Sequence, residues 1–206
     1  MDHNQAFNAY PNQIQLNPNA FSITDQPIVW IDLEMTGLNV QFEKILEIGI
    51  VITDSKLTKK VLGPNIIVQC DEYTLQHMDD WNQTHHKESG LLAQVRQSNV
   101  SLEQAEQIIL AFLQEMQVTY QSAPLAGNCI HTDRKFMRKY MPNLVDYLNY
   151  KIIDVTTFKQ LCWRWNQQVS KGRPRKAQGH RALDDILESI EEMKYYQDKF
   201  IKLGNK

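Results

Sequence analysis

The sequence predicts an α/β chain on a mixed sheet, with its first strands antiparallel and its later ones parallel. Three observations carry that reading. The β-branched runs Ile28–Asp32, Ile45–Thr53 and Val61–Val68 follow one another too closely for crossover helices, so they pair antiparallel. Beyond Pro124, strand-like and helix-like stretches alternate, the pattern of parallel βα units. The 206 residues, 42% of them hydrophobic, suffice to bury one full core.

The elements follow in order. Residues 1–26 are rich in Asn and Gln, hold no Lys or Arg and have no apolar block. They read as a flexible polar tail without a secretory signal, ahead of one domain over 27–206. After the three strands, Asp71 can cap a short helix through Met78. Ser101 with Gln104 forms a capping-box pair that opens a helix to about Val118, its apolar positions Leu102, Ala105, Ile108, Ile109, Phe112 and Leu113 at helical spacing. "PLAGN" is a short strand, and the pattern Phe136, Met137, Tyr140 a helix ended by Pro142. "YKIIDV" is a strand running into a helix through Trp165; a polar, basic loop, Gln167 to Gln178, precedes a last helix to about Phe200.

Charge and cysteines narrow the function. A formal charge of -2 and a pI near 6.3 argue against gripping long nucleic acid by phosphate neutralisation, and leave short nucleic acid open. Cys70, Cys129 and Cys162 are odd in number and spaced unlike a zinc site, which predicts reduced thiols in a cytoplasm. No apolar run approaches the roughly 20 residues of a membrane span.

The chemistry starts at "IVWIDLEMTGL". Asp32 and Glu34 stand two apart on a strand, so they share a face and repel unless a cation lies between them. Asp133 follows another strand, and Asp184-Asp185 open the last helix after His180. In an α/β fold, strand ends and the helix starts that follow them converge on one rim, where ligands bind. Helical periodicity places Asp184 and Asp185 at comparable angles from the buried stripe and does not choose between them.

"DLEMTGL", "EIGIVITD", "MDDWN", "GN" followed by Asp133-Arg134, "KYMP" and "HRALDDI" occur in the order found in oligoribonucleases. The chain from about Ile28 to Leu203 thus resembles that family of DEDD exonucleases, in the variant with a catalytic histidine. The resemblance implies a ribonuclease H-like fold and a 3′-to-5′ exoribonuclease that cuts RNA of two to a few nucleotides into mononucleotides. It implies two divalent ions, Mg²⁺ or Mn²⁺, on Asp32, Glu34, Asp133 and Asp185, the family spacing from His180 selecting Asp185, with His180 as general base. Oxygen ligands suit such ions, and an imidazole titrates near neutral pH.

The same resemblance assigns Leu38 and Trp81 to the bases, His86 to the substrate pocket, and Tyr150 to the active site of the other subunit of a homodimer. Family members cap the far, 5′ end of the substrate with Arg, Ser and Ser or Thr; here the matching positions are Lys151, Cys129 and Thr156, with Lys159 a further candidate. Lysine lacks the bidentate fork and a thiol is a weak donor, so strict preference for the shortest substrates is in question. The "KGRPRK" stretch, Lys171 to Lys176, reads as a solvated basic turn. A single-stranded DNA exonuclease sharing the same metal site is the alternative enzyme. An idle RNA-binding module is the alternative class, and the complete carboxylate set with His180 speaks against it.

Overall fold

The computed structural model describes residues 26–174 and 181–201. Five strands, β1 (Ile28–Met35), β2 (Ile45–Thr53), β3 (Lys60–Ile67), β4 (Pro124–Gly127) and β5 (Asn149–Asp154), form one sheet in the order β3-β2-β1-β4-β5. β1–β2 and β2–β3 are antiparallel, β1–β4 and β4–β5 parallel, as the spacing of the sequence requires. Between β3 and β4 lie α1 (Glu72–Gln76), α2 (Asp80–Glu88), α3 (Leu91–Gln97) and α4 (Leu102–Glu115). α5 (His131–Tyr140) and α6 (Pro142–Tyr147) join β4 to β5, and α7 (Val155–Trp165), α8 (Gln167–Lys171) and α9 (Ala182–Lys199) complete the described chain.

Side-chain alternation along β1 divides the core. Val29, Ile31 and Leu33 face α4, α5 and α6, packing with Phe112, Phe136 and Leu144. Trp30 points the other way, into a layer with Ile186 and Ile190 of α9 and Val155 and Cys162 of α7; its indole N–H donates to Thr53 at 2.9 Å. β2 has every residue buried, because strands flank it and helices cover it. A third cluster packs Leu46 on Leu75, Leu91 and Val95 of α1 and α3.

Several elements depart from the sequence reading. β1 continues to Met35, so Asp32 and Glu34 sit inside a paired strand. Pro142 does more than end α5: at the first position of α6 its missing N–H costs nothing. The segment read as a polar loop from Gln167 begins as helix α8, where the Asn166 side chain accepts the Val169 N–H. The capping box on Ser101 and Gln104 forms as expected. Cys70, Cys129 and Cys162 are all free thiols.

Candidate active site

β1 lies where the sheet changes from antiparallel to parallel pairing, the place at which an α/β sheet opens a crevice beyond its strand ends. Asp32 and Glu34 share the α9 side of this strand with Trp30. Opposite Asp32 on β2 stands Gly49, and a Cβ there would lie 3.1 Å from the backbone of Ala182 and Leu183. Its bare backbone lets the first turn of α9 settle on the sheet, and that turn carries Asp185. One oxygen each from Asp32, Glu34 and Asp185 then lie within 4.8 Å of one another.

That spacing fits a divalent cation. Ion–oxygen distances of about 2.0–2.6 Å put the oxygens around one ion no more than about 5 Å apart. Without a cation the three charges oppose each other. Burial, then the charges of Glu47, Asp185 and Asp133, push Glu34 up from 4.5 to about 8, against a smaller lowering by Arg181. Asp184, the other candidate in "LDD", is exposed in the same helical turn.

Asp133 sits in the first turn of α5, buried, and accepts the Leu33 N–H at 3.1 Å. Pairing of β4 with β1 covers Val29 and Trp30, and β4 ends at Gly127, so Asp133 takes a donor on β1 beyond the end of β4. Burial raises its pKa as well, with Asp154 adding to the rise and the backbone N–H bonds opposing it. The fourth predicted carboxylate, carried on α5, is therefore tied to the β1 backbone at Leu33, between Asp32 and Glu34. His180 lies outside the described residues.

Two residues that the sequence reading passed over organise this rim. Glu47, fully buried on β2, stands directly across from Glu34. Arg181, just before α9, grips it with Nε and Nη2 at 2.9–3.1 Å and reaches Gln94 of α3 at 2.8 Å. Asn65 donates to the same carboxylate at 2.7 Å. A lone charge within the apolar run "ILEIGIVIT" was the available signal, since a buried carboxylate demands a partner.

Of the predicted substrate contacts, His86 is the one with a measured approach to the trio. His86 of α2 is buried, its Nε2 donating to the Met35 carbonyl at 2.9 Å with Nδ1 3.9 Å from Glu34. Trp81, 57% exposed, stacks on His85 at 4.0 Å between centroids. Leu38, 78% exposed, rides on the turn between β1 and β2. Lys139 and Tyr140, ending α5, pin that turn through the carbonyls of Val40, Gln41 and Glu43 at 2.7–2.8 Å. Cys129 and Thr156 meet at 3.3 Å between Sγ and Oγ1. Tyr150 and Lys151 lie on the edge strand β5, Tyr150 75% exposed with the lysine ammonium 5.6 Å from its ring centroid. Lys159 lies on α7. Of the basic turn, Lys171 closes α8 and Arg173 donates to the Ser170 carbonyl, while Arg175 and Lys176 lie outside the described residues.

Known proteins share both sequence and fold. The RNase_T exonuclease family model matches residues 29–193. The mitochondrial oligoribonuclease of Homo sapiens is 45% identical over 177 residues, covering 86% of this chain and 74% of its own. The oligoribonuclease of Chromobacterium violaceum is 43% identical over 176 residues, 85% of this chain and 96% of its own, and a probable oligoribonuclease of Dictyostelium discoideum is 47% identical over 170 residues, 82% and 88%. Among solved structures, exonuclease I of Methylocaldum szegediense superposes with a TM-score of 0.59 at 14% identity over 85% of this chain. The match spans 41% of that exonuclease, and at such identity it speaks for the fold alone. Sequence identity across most of the chain, on a sheet that gathers Asp32, Glu34 and Asp185, shows that this chain belongs to the oligoribonuclease family of RNase_T-type exonucleases.

Proposed function

We propose that this chain is a 3′-to-5′ exoribonuclease that hydrolyses RNA of two to a few nucleotides, releasing nucleoside 5′-monophosphates. The observation that carries the reading is the trio Asp32, Glu34 and Asp185, one oxygen of each lying within 4.8 Å of the others on one rim of the sheet. Arg181, the cation nearest in sequence, is committed to Glu47. Asp32, Glu34 and Asp185 would hold one Mg²⁺ or Mn²⁺, and Asp133 would help to hold a second. Bound divalent ions lower the pKa of attacking water and stabilise the charge that develops on the leaving oxygen.

The protein's own groups do the rest. His180 accepts the water's proton, Leu38 and Trp81 flank the bases, and His86, its tautomer fixed by the Met35 carbonyl, lines the pocket beside Glu34. Cys129, Thr156 and Lys151 meet the far end of the substrate. A homodimer supplies Tyr150 across its interface. The exposed edge of β5, with Tyr150, Lys151 and Ile152 open to solvent and Trp163 and Trp165 exposed on α7, supports that assembly.

No helix of the described residues is long and apolar enough to cross a membrane. Three thiols suit a reducing compartment, and the cytoplasm is the one proposed; the human, bovine and mouse relatives carry "mitochondrial" in their names. The test is digestion of a 5′-labelled RNA length series, from two to about ten nucleotides, with Mn²⁺, with Mg²⁺ and with chelator, beside matched DNA. Metal-dependent loss of the shortest RNAs is expected. Processive digestion of long DNA with dinucleotides surviving would overturn the reading in favour of a DNA exonuclease.

A further inference from the structure

Asn128, the last residue before Cys129, has both ends of its side-chain amide engaged. Its Oδ1 accepts the Thr156 hydroxyl at 3.2 Å. Its Nδ2 donates to Ser189 Oγ on α9 at 2.8 Å, with the Glu192 carboxylate at 3.4 Å. Ser189 in turn donates to the backbone carbonyl of Asp185 at 2.7 Å. The donors all run one way, from Thr156 through Asn128 and Ser189 to the turn of α9 that bears Asp185.

At the other end, Thr156 has spent its only proton on Asn128, so its oxygen is an acceptor for everything else. It takes the Cys129 N–H at 2.9 Å, shared with Asp154 at 3.0 Å, and by elimination it takes the Cys129 S–H at 3.3 Å. Cys129 sits at φ 51°, a left-handed conformation that a non-glycine residue holds only when its surroundings impose it. These bonds impose it.

We propose that Asn128 is a positioning residue for substrate length: it fixes the Cys129–Thr156 pair and, through Ser189, spaces that pair from Asp185. The inference rests on the proposed reading of Cys129 and Thr156 as the cap on the far end of the substrate. With the spacing fixed, an RNA that engages cap and carboxylates together is held to one length, and a longer RNA must leave the cap.

The test compares three substrates: a two-nucleotide RNA with a 5′-phosphate, a five-nucleotide RNA, and the p-nitrophenyl ester of uridine 5′-phosphate, which has nothing to present to the cap. Asn128→Ala is expected to lower the two- over five-nucleotide ratio of kcat/KM about tenfold, mainly through KM for the dinucleotide, with ester hydrolysis and Mn²⁺ affinity within about twofold of wild type. Ser189→Ala, a gentler change that leaves Thr156 and Asn128 bonded, is expected to shift the ratio in the same direction by about threefold, and it serves if Asn128→Ala folds poorly. A proportional loss on all three substrates, or an unchanged ratio in both variants, overturns the inference. The underlying reading is checked in parallel by Cys129→Ala and Thr156→Val. If those two leave the ratio untouched the cap reading falls and the inference with it, whereas if they move it and both the Asn128 and Ser189 variants do not, only the inference falls.

Discussion

Arg181 holds Glu47 through two nitrogens, and Glu47 stands across the sheet from Glu34. The pair therefore joins the start of α9, with Asp185 on it, to the strand facing the other two carboxylates. It also gives the buried Glu47 charge a partner, and the guanidinium partly offsets the push of Glu47 on Glu34.

Breaking that pair leaves the buried Glu47 carboxylate with the neutral Asn65 amide and no countercharge from Arg181. Arg181→Met should destabilise the fold by about 2–4 kcal/mol, below the 3–5 typical of a fully buried pair because Arg181 is 24% exposed. The double variant Arg181→Met/Glu47→Met should recover most of that loss in denaturant unfolding. Equal destabilisation of single and double variants would show that the pair has no electrostatic part in holding α9.

The proposed metal ligands should behave in the opposite way. Asp32→Ala or Asp185→Ala is expected to abolish hydrolysis while the metal-free melting temperature holds or rises, since one repelling charge is gone. Near wild-type rates at saturating Mn²⁺ would remove either residue from the ligand set. His180→Ala should lose about 100-fold or more in turnover with Mn²⁺ affinity retained, the reach of a positioned base.

Proton linkage gives a sign that reverses with metal. Glu34 rises from 4.5 to about 8 in the folded chain, so between those values the native state holds a proton that the unfolded chain has released. The stability this contributes is complete below 4.5 and is lost as pH rises through about 8. Asp133, also raised by burial, acts in the same direction. The metal-free melting temperature should therefore fall between pH 5 and pH 8 on this account, and should rise over the same span with Mn²⁺ in place of the proton. Parallel slopes with and without Mn²⁺, read by calorimetry, would contradict it.

Periodicity carried most of this fold, and the limits of that signal explain the differences. Strand alternation put Asp32 and Glu34 on one face because a period of two is local, and close strand spacing gave the antiparallel pairs. The proximity of Asp185 to them depends on Gly49, whose role as a gap under α9 exists only once β2 is paired in register opposite Asp32. Pattern alone left Asp184 and Asp185 equivalent; packing on the sheet separates them, one exposed and one in the trio. Arg181 and Asn128 were hidden for a related reason. Their partners lie 134 and 61 residues away, and neither disturbs any hydrophobic period.

Assembly gives the last prediction, and it turns on Tyr150. Its side chain is 75% exposed on edge strand β5, with Lys151 above its ring. In a two-fold dimer each subunit would place Tyr150 at its partner's carboxylates, so each active site would take residues from both chains. Mixing Asp32→Ala subunits with Tyr150→Ala subunits then gives a heterodimer in which one site combines both defects and the other is intact. Each parent homodimer is impaired at both sites, so subunit exchange should restore as much as about half of the wild-type activity per heterodimer. Native mass spectrometry establishes the exchange, and dinucleotide hydrolysis reads the result. Activity at the mean of the two parents after complete exchange would place Tyr150 in the service of its own subunit.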